Sequence, residues 1–491
     1  MDLDNVNTES APREFLAVLL AGFGNELGPL TYDYGDEPCP KALLPVANKP
    51  LIEYTLEWIE KSGIKDVLLI CPATHRDAIH HHIHSDISSS PLNIDLLSYD
   101  EAPDDHIGTC HILRQFSSRI SGDFVMVPCD FIPSPSVPLS DLLDKFRVES
   151  LSQHSLATSF WYSSPRPEKG MSIEEWGPTP GLLPIVWEPT TGTLLHIDTP
   201  DDADRNSEEI ELKMSMLSKF PRTKLSSSLD DSHVYVCRRA VLDLLQQKPH
   251  FSSLREEFIP WLCQIQYSRS KRTKYSLILN SVGESASQSL ALDHSSLLNT
   301  TPFVDEDLPT PVSAESEAIF SKDLKIGLVV HKNQSDTAMR INTLQKFYEI
   351  NRRLLSAATY VLPVDPKDRS LIDQRAQISS DSIVGESTQI SERTSIKRSV
   401  IGRHCTIGKM VKITGCILLD HCVVEDGAKL DGCILGKSTQ VGQKAELTRC
   451  VTQAGYEVGQ GEVAKGEKLE VSDWMADPDT PVSQHQELHS D

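Results

Sequence analysis

Between Val384 and Leu447, aliphatic residues recur at steps of six, six and five: Val384, Ile390, Ile396, then Ile401, Ile407, Ile413, then Leu418, Val424, Leu430, then Leu435, Val441, Leu447. The period is 17 residues. With 39% of the chain hydrophobic, filling all twelve positions by chance has a probability of about one in 10^5 before the choice of register. The residue two before each aliphatic is small, running Ser382, Thr388, Thr394, Ser399, Cys405, Val411, Cys416, Cys422, Ala428, Cys433, Thr439, Ala445, and Gly follows the aliphatic at 385, 402, 408, 436 and 442. Such a pattern leaves the chain few choices. Each step is one short strand with its corner, three steps close a coil with one short side, and the small slot faces inward with the aliphatic. Coils stacked at the ~4.8 Å strand spacing predict a prism on the order of 20 Å tall, flanked by partial coils at Ile372, Ile378 and Val451.

This signature resembles the hexapeptide repeat of left-handed parallel β-helices. The N-terminal half reads differently. Ala17 to Leu20 and Val67 to Ile70 are short apolar runs, separated by a helical pattern (Leu51, Tyr54, Thr55, Trp58, Ile59) that ends at Gly63. Buried strand, helix, buried strand predicts a βαβ unit in a mainly parallel sheet. Further strands are expected at Phe124 to Val127, Leu156 to Phe160, Leu194 to Ile197, Val234 to Cys237 and Leu324 to Val330, with helices over Leu254 to Ile265 and Asn342 to Leu355. Residues 281–321 are rich in Ser, Thr, Pro and acids. Such a segment buries too little apolar area to offset its ordering entropy, so it is expected to be a disordered insertion.

The first strand runs into Leu20-Ala21-Gly22-Phe23-Gly24-Asn25-Glu26-Leu27-Gly28, and Pro40-Lys41-Ala42-Leu43-Leu44-Pro45 follows. Glycines after a strand let backbone N–H groups approach phosphate oxygens, and a Lys reaching the same loop adds a point charge. With the second block at this spacing, the sequence resembles the sugar-nucleotide pyrophosphorylase (nucleotidyltransferase) superfamily. That family normally carries Gly in place of Phe23 and a Thr-Arg or Ser-Arg in place of Asn25-Glu26, and its Arg binds the triphosphate. Here the charge is inverted: a carboxylate about 5 Å from a phosphate costs about 3 kcal/mol at an effective dielectric near 20. Metal-dependent transfer also needs a carboxylate pair. Asp130, in Val127-Pro128-Cys129-Asp130, matches the first; no Trp-x-Asp-x-Gly-Thr-like segment supplies the second. The Glu-Lys-Pro that holds the sugar phosphate reads Trp187-Glu188-Pro189, and Gly108-Thr109 matches the family's base-contact Gly-Thr before diverging at Cys110-His111. The resemblance thus implies a Rossmann-like α/β domain whose Gly22, Gly24, Lys41 and Asp130 form a vestigial nucleotide pocket, with no catalytic residue, metal ligand or cofactor.

Two further segments narrow the family. Ser252-Ser253-Leu254-Arg255-Glu256-Glu257-Phe258-Ile259-Pro260-Trp261-Leu262, and Ala338-Met339-Arg340-Ile341-Asn342-Thr343-Leu344 with Glu349-Ile350-Asn351-Arg352, resemble the gamma-subunit family of eukaryotic translation initiation factor 2B. The resemblance covers about residues 14 to 460 apart from the insertion. It implies a non-catalytic regulatory and assembly subunit of a guanine-nucleotide exchange complex. The implied partners are the epsilon subunit, which carries exchange activity in a C-terminal helical repeat domain, the other factor 2B subunits, and initiation factor 2 as the GTPase substrate. About 40 residues follow the last clear coil, too few for that ~150-residue domain, so a gamma-like rather than epsilon-like chain is expected. The alternatives are an active guanylyl- or uridylyltransferase and a β-helix acyltransferase using His404. The expected fold class is α/β followed by the left-handed β-helix. Its boundaries are 1–13 (disordered tail), 14–280 (nucleotidyltransferase-like domain), 281–321 (insertion), 322–365 (connecting strand and helix), 366–465 (β-helix) and 466–491 (acidic tail).

Composition limits the remaining classes. Lys and Arg number 47 against 70 Asp and Glu, a net charge of -23, which argues against direct nucleic-acid binding. The longest apolar stretch, about nine residues from Phe15 to Phe23, is far short of the ~20 that span a bilayer. An acidic, polar start and eleven Cys without a C-x-x-C pair fit a reduced cytosolic or nuclear compartment, and the family resemblance implies the cytosol. The Cys405/Cys422 and Cys416/Cys433/Cys450 ladders fall in the small inward slot and read as packing. His404 and His421 read as solvated stacking, Glu26 as a solvated loop acid, and His80, His81, His82 and His84 as a surface helix without the ligands of a zinc site.

Overall fold

The computed structural model describes residues 14–35, 37–85, 91–100, 107–163, 176, 183–199, 210, 212–275, 278–279, 324–332, 338–357, 360 and 366–471. The expected 1–13 tail, the 281–321 insertion and the acidic tail from 472 onward lie outside these residues. The chain divides into two compact units, one of residues 1–24, 40–173 and 178–350, the other of residues 25–39, 174–177 and 351–491.

The first unit is a ten-stranded mixed sheet. Its strands are β1 (Phe15–Leu20), β2 (Asp66–Pro72), β3 (Asn93–Tyr99), β4 (Asp123–Pro128), β5 (Ser155–Ser163), β6 (Ile185–Glu188), β7 (Thr193–Ile197), β8 (Lys224–Ser226), β9 (Leu229–Cys237) and β10 (Lys325–His331). Their spatial order is β8-β6-β7-β10-β5-β9-β4-β1-β2-β3. β1 pairs in parallel with β2 and β4, whereas β9 runs antiparallel between β4 and β5. β1 and β2 are apolar on both faces because helices and loops cover both sides, as parallel sheets require. Helix α1 (Leu51–Lys61) makes the first crossover. It buries Leu51, Ile52, Thr55, Leu56, Trp58 and Ile59 and ends before Gly63, whose φ of +88° closes the turn cheaply. The helix expected over Leu254 to Ile265 opens with a wide turn, Leu254–Phe258, before helix α2 (Ile259–Ile265). Helix α3 (Leu344–Ala357) fills the Asn342 to Leu355 expectation, and before it the two-residue strand Met339–Arg340 pairs antiparallel with Phe131–Ile132.

The second unit contains the left-handed β-helix, built from three parallel sheets of six, six and five strands. Eleven of the twelve repeat aliphatics are buried and Val384 is partly so. The 17-residue register holds from Ile383↔Val400 onward, but the first turn takes 18, pairing Ile378 with Ile396, because the Ile378 to Val384 step is six rather than five. Three corner columns are left-handed: Ser387, His404, His421, Ser438, Gly455; Arg393, Met410, Gly427, Lys444, Gly461; and Arg398, Gly415, Gly432, Arg449, Gly466. His404 and His421, both exposed, therefore stack, centroids 5.1 Å apart and planes 12° from parallel, because they share one corner column.

The small slot has a physical reason beyond size. Thr388 Oγ1 donates to Gly402 O at 2.8 Å and Thr394 Oγ1 to Gly408 O at 2.7 Å, and Cys405 and Cys422 make the equivalent weaker thiol bonds to Leu419 O (3.3 Å) and Gly436 O (3.2 Å). Burial lifts the Cys422 thiol well above its ordinary range. Cys433 is lifted by its hydrogen bond with Cys416 and by burial, so both stay neutral. A second apolar column, Val400, Ile417, Ile434 and Val451, points out of the coil and is nevertheless buried. Within this unit Lys437 Nζ meets Glu37 at 2.9 Å and Gln453 Nε2 donates to Asp33 O at 3.1 Å, which ties the 25–39 segment to the coils.

Candidate functional site

Strands β1 and β4 are neighbours with Leu20 opposite Pro128. The Gly22–Gly24 loop and Asp130 therefore leave adjacent carboxyl ends of the sheet, where open α/β sheets form ligand crevices. Gly24 has φ +81°, and a Cβ there would lie 2.7 Å from Lys41 Cδ, so a left-handed turn and a close side chain both demand glycine. Gly22 is exposed with open space around it, and Glu26 is exposed. Lys41 sits in a single helical turn, Lys41–Leu43, is 7% exposed, and its ammonium meets the carboxylate of Asp130, which is 2% exposed. Gly24, Lys41 and Asp130 are thus brought together.

Asp130 has a second partner that the sequence argument did not assign. Arg340 Nε lies 3.1 Å from Oδ1 and 3.2 Å from Oδ2. The strand pair Phe131–Ile132 with Met339–Arg340 sets this approach, and Ile341 N donates to Asp130 O at 2.8 Å. Desolvation pushes the Asp130 carboxyl upward, but Arg340 and Lys41, by charge and by hydrogen bonding, outweigh it and hold the group below its ordinary value. Arg340 Nη1 also meets His233 Nε2 at 3.0 Å. A guanidinium can only donate, so Nε2 accepts and the imidazole is neutral with its proton on Nδ1. Burial, then the Arg340, Arg255, Lys41 and Lys346 cations, push His233 well below its usual pKa.

The cluster continues through two more acids. Tyr235 Oη donates to Asp231 Oδ2 at 2.5 Å, His233 N donates to Oδ1 at 2.9 Å, and Arg255 lies 3.8 Å away. Burial raises Asp231 despite these partners. Lys346 Nζ pairs with Asp230 at 2.6 Å, and Tyr162 Oη bridges Asp230 at 3.2 Å to the Arg340 N–H at 2.9 Å. None of these residues except Arg255 and Arg340, quoted within family segments, carried a signal in the sequence, because each depends on a partner far along the chain.

Divalent-cation binding, which the nucleotidyltransferase fold implies, does not fit this donor set. Both Asp130 oxygens already accept from cationic nitrogens, and Asp230 and Asp231 are committed to Lys346, Tyr162, Tyr235 and Arg255. No group of three or more His, Cys, Asp or Glu able to hold a metal occurs among the described residues. The Gly108-Thr109 segment is also engaged internally. A Cβ on Gly108 would fall 2.2 Å from Ser252 Oγ and 2.3 Å from its carbonyl oxygen, Cys110 N donates to Ser252 O at 2.9 Å, and Leu254 N donates to Thr109 Oγ1 at 2.9 Å. The two family-like segments are therefore packing partners. Glu188 accepts from Thr191 Oγ1 at 2.8 Å, and the Trp187 ring is buried with Lys224 5.6 Å from its centroid.

Against the net negative charge stands one basic helix, Arg269–Lys274, with Arg269, Lys271, Arg272 and Lys274 in six residues, a local feature that a whole-chain charge conceals. No helix among the described residues is long and apolar enough to cross a membrane.

Residues 16–169 match the nucleotidyl transferase family, and residues 366–463 match the family described as EIF2B subunit epsilon LbH domain. The translation initiation factor eIF2B subunit gamma of Schizosaccharomyces pombe is 31% identical over 395 residues, which are 80% of this chain and 76% of that protein. Its namesake from Dictyostelium discoideum is 27% identical over 385 residues, 74% of this chain and 82% of that protein. The epsilon subunit of S. pombe eIF2B is 23% identical over 255 residues, 49% of this chain and only 34% of that protein.

Proposed function

The chain belongs to the family of eIF2B gamma subunits, and from that premise we propose that it serves as a non-catalytic assembly and regulatory subunit that supports GDP release from initiation factor 2. Membership makes it a component of the multisubunit eIF2B complex. The finer reading concerns what it contributes. The observation that carries it is the state of Asp130, the one retained carboxylate of the nucleotidyl-transfer pair, which is consumed by the chain's own Lys41 and Arg340. A carboxylate so engaged neither orients a metal nor stabilises a leaving pyrophosphate. Gly22, Gly24, Lys41 and Asp130 are then remnants of a nucleotide pocket kept for their part in the fold. On this reading exchange is performed by the epsilon subunit in the cytosol, while this chain binds that partner and the GTPase, and tethering raises their effective concentration into the millimolar range.

The test is release of a fluorescent GDP analogue from initiation factor 2, followed with this chain, with the epsilon subunit, and with both. The pair is expected to exceed epsilon alone, and this chain alone to match the buffer control. Full acceleration by this chain alone, or no difference between epsilon and the pair, overturns the reading. The competing nucleotidyltransferase reading predicts turnover of a nucleoside triphosphate with a sugar 1-phosphate at about 1 s⁻¹ or faster, an ordinary enzyme rate.

A further inference from the structure

Nucleotidyltransferases take their second metal carboxylate from a Trp-x-Asp-x-Gly-Thr segment. In this chain Ala338-Met339-Arg340-Ile341-Asn342-Thr343 has the same length, ends on the same Thr, and carries Arg at the third position. The strand ladder pairs Arg340 with Phe131, the residue after Asp130, so position 340 faces the first carboxylate across one rung. We propose that Arg340 stands at the second metal-carboxylate position, and that its guanidinium, together with Lys41, is a built-in cation that holds Asp130 permanently where a divalent ion would otherwise be required.

Three observations converge on this. The guanidinium Nε contacts both oxygens of Asp130, at 3.1 and 3.2 Å, as a bridging cation would. The site is closed to competing ions, since Asp130 is 2% exposed and the other face of Arg340 is taken by the neutral His233 Nε2 at 3.0 Å. Charge also balances differently: one carboxylate faces two fixed cations, whereas an Asp at 340 would leave two carboxylates facing Lys41 alone, the arrangement that recruits Mg²⁺. Arg is always protonated, so the cation is present at any physiological pH and in the absence of any ligand. The consequence is a crevice whose carboxyl edge is ordered without metal or nucleotide, which suits a chain that offers a fixed surface rather than a reacting site. This inference rests on the same engaged Asp130 that carries the non-catalytic reading: Mn²⁺ uptake by the wild type through Asp130 overturns both, whereas a folded Arg340→Asp chain that binds no Mn²⁺ overturns this inference alone and leaves the GDP-release test standing.

The test uses the purified full-length chain with Mn²⁺ as probe, reading free Mn²⁺ by its spin resonance and stability by thermal melting. Wild type is expected to take up no stoichiometric Mn²⁺ and to melt alike with and without chelator. Arg340→Asp is expected to bind one Mn²⁺ per chain and to melt roughly 3 °C higher at ten times the Kd, and Asp130→Asn in the same chain removes both effects. A folded Arg340→Asp chain that binds no Mn²⁺, or a wild type that binds one through Asp130, overturns the proposal. Should Arg340→Asp not fold, a urea-unfolding cycle of Asp130→Asn, Arg340→Gln and the double variant decides it. Coupling on the order of ten-fold in the unfolding constant is expected, and additivity within about two-fold refutes it.

Discussion

Replacing Ile407 by Asp tests the β-helix register at a fully buried point. Ile407 is 0% exposed and stacks in register between Ile390 on one coil and Val424 on the next. Losing the buried side chain costs about 2 to 3 kcal/mol. The new carboxyl must enter the core neutral, and at pH 7, about three pKa units above its unfolded value near 3.9, protonating it costs about 4 kcal/mol. Its unpaired oxygens add roughly 1 to 3 kcal/mol. Together these reach about 7 to 10 kcal/mol, comparable with the roughly 5 to 15 kcal/mol that holds a folded domain. The β-helix of Ile407→Asp is expected to be unfolded at pH 7, seen as loss of the β signal in far-ultraviolet circular dichroism and as rapid proteolysis within residues 366–471. Because the buried carboxyl has a raised folded-state pKa, its penalty falls as pH drops toward 3.9, so about 4 kcal/mol is recovered between pH 7 and pH 4. Thr406, one residue earlier on the same strand, is exposed, so Thr406→Asp is expected to change stability by about 0.5 kcal/mol or less. A one-residue slip exchanges the two faces. Equal behaviour of the two variants, or a wild-type melt for Ile407→Asp, refutes the coil geometry.

The remaining predictions concern the first unit. Gly24→Ala is expected to cost about 1 to 2 kcal/mol in urea unfolding, because φ is +81° and Lys41 is in the way, whereas Gly22→Ala, in open space, stays within about 0.5 kcal/mol. Gly108→Ala is expected to destabilise by about 1 to 3 kcal/mol because its Cβ meets the Ser252 backbone; a neutral result would mean the Gly108–Ser252 contact is not tight. His233 is held neutral in the fold, so below its unfolded value near 6.5 the unfolded chain binds the extra proton and stability falls by about 1.4 kcal/mol per pH unit. Asp231, raised by burial, acts with the opposite sign, gaining stability as pH falls toward 3.9. The difference between wild type and His233→Asn, which tolerates the local φ of +57°, isolates the histidine: melts at pH 7.5 and pH 5.5 should diverge for wild type relative to the variant, and parallel shifts would show that His233 is not buried neutral.

The β-helix was almost wholly legible in the residue pattern, because each coil repeats the same local demand. An inward aliphatic, a small hydrogen-bonding slot and a left-handed corner recur every 17 residues, so one register error would be contradicted four times over. The residue pattern also determined the βαβ start of the sheet, where apolar runs of two periods alternate; that Lys41 and Asp130 belong to one pocket was implied by the family resemblance, and their direct pairing was not. Even here the outward column Val400, Ile417, Ile434 and Val451 has the same period as the inward one, yet its burial could not be read, since period fixes which residues share a face and not what covers that face. The chemistry of the crevice was decided only in three dimensions. Lys41 and Asp130 are 89 residues apart and Arg340 and Asp130 are 210 apart, and a sequence carries no signal for which of many cations reaches a given carboxylate. That choice follows from a two-residue strand pairing that lays Arg340 beside Phe131, and from burial, which makes an unpaired charge too costly to leave.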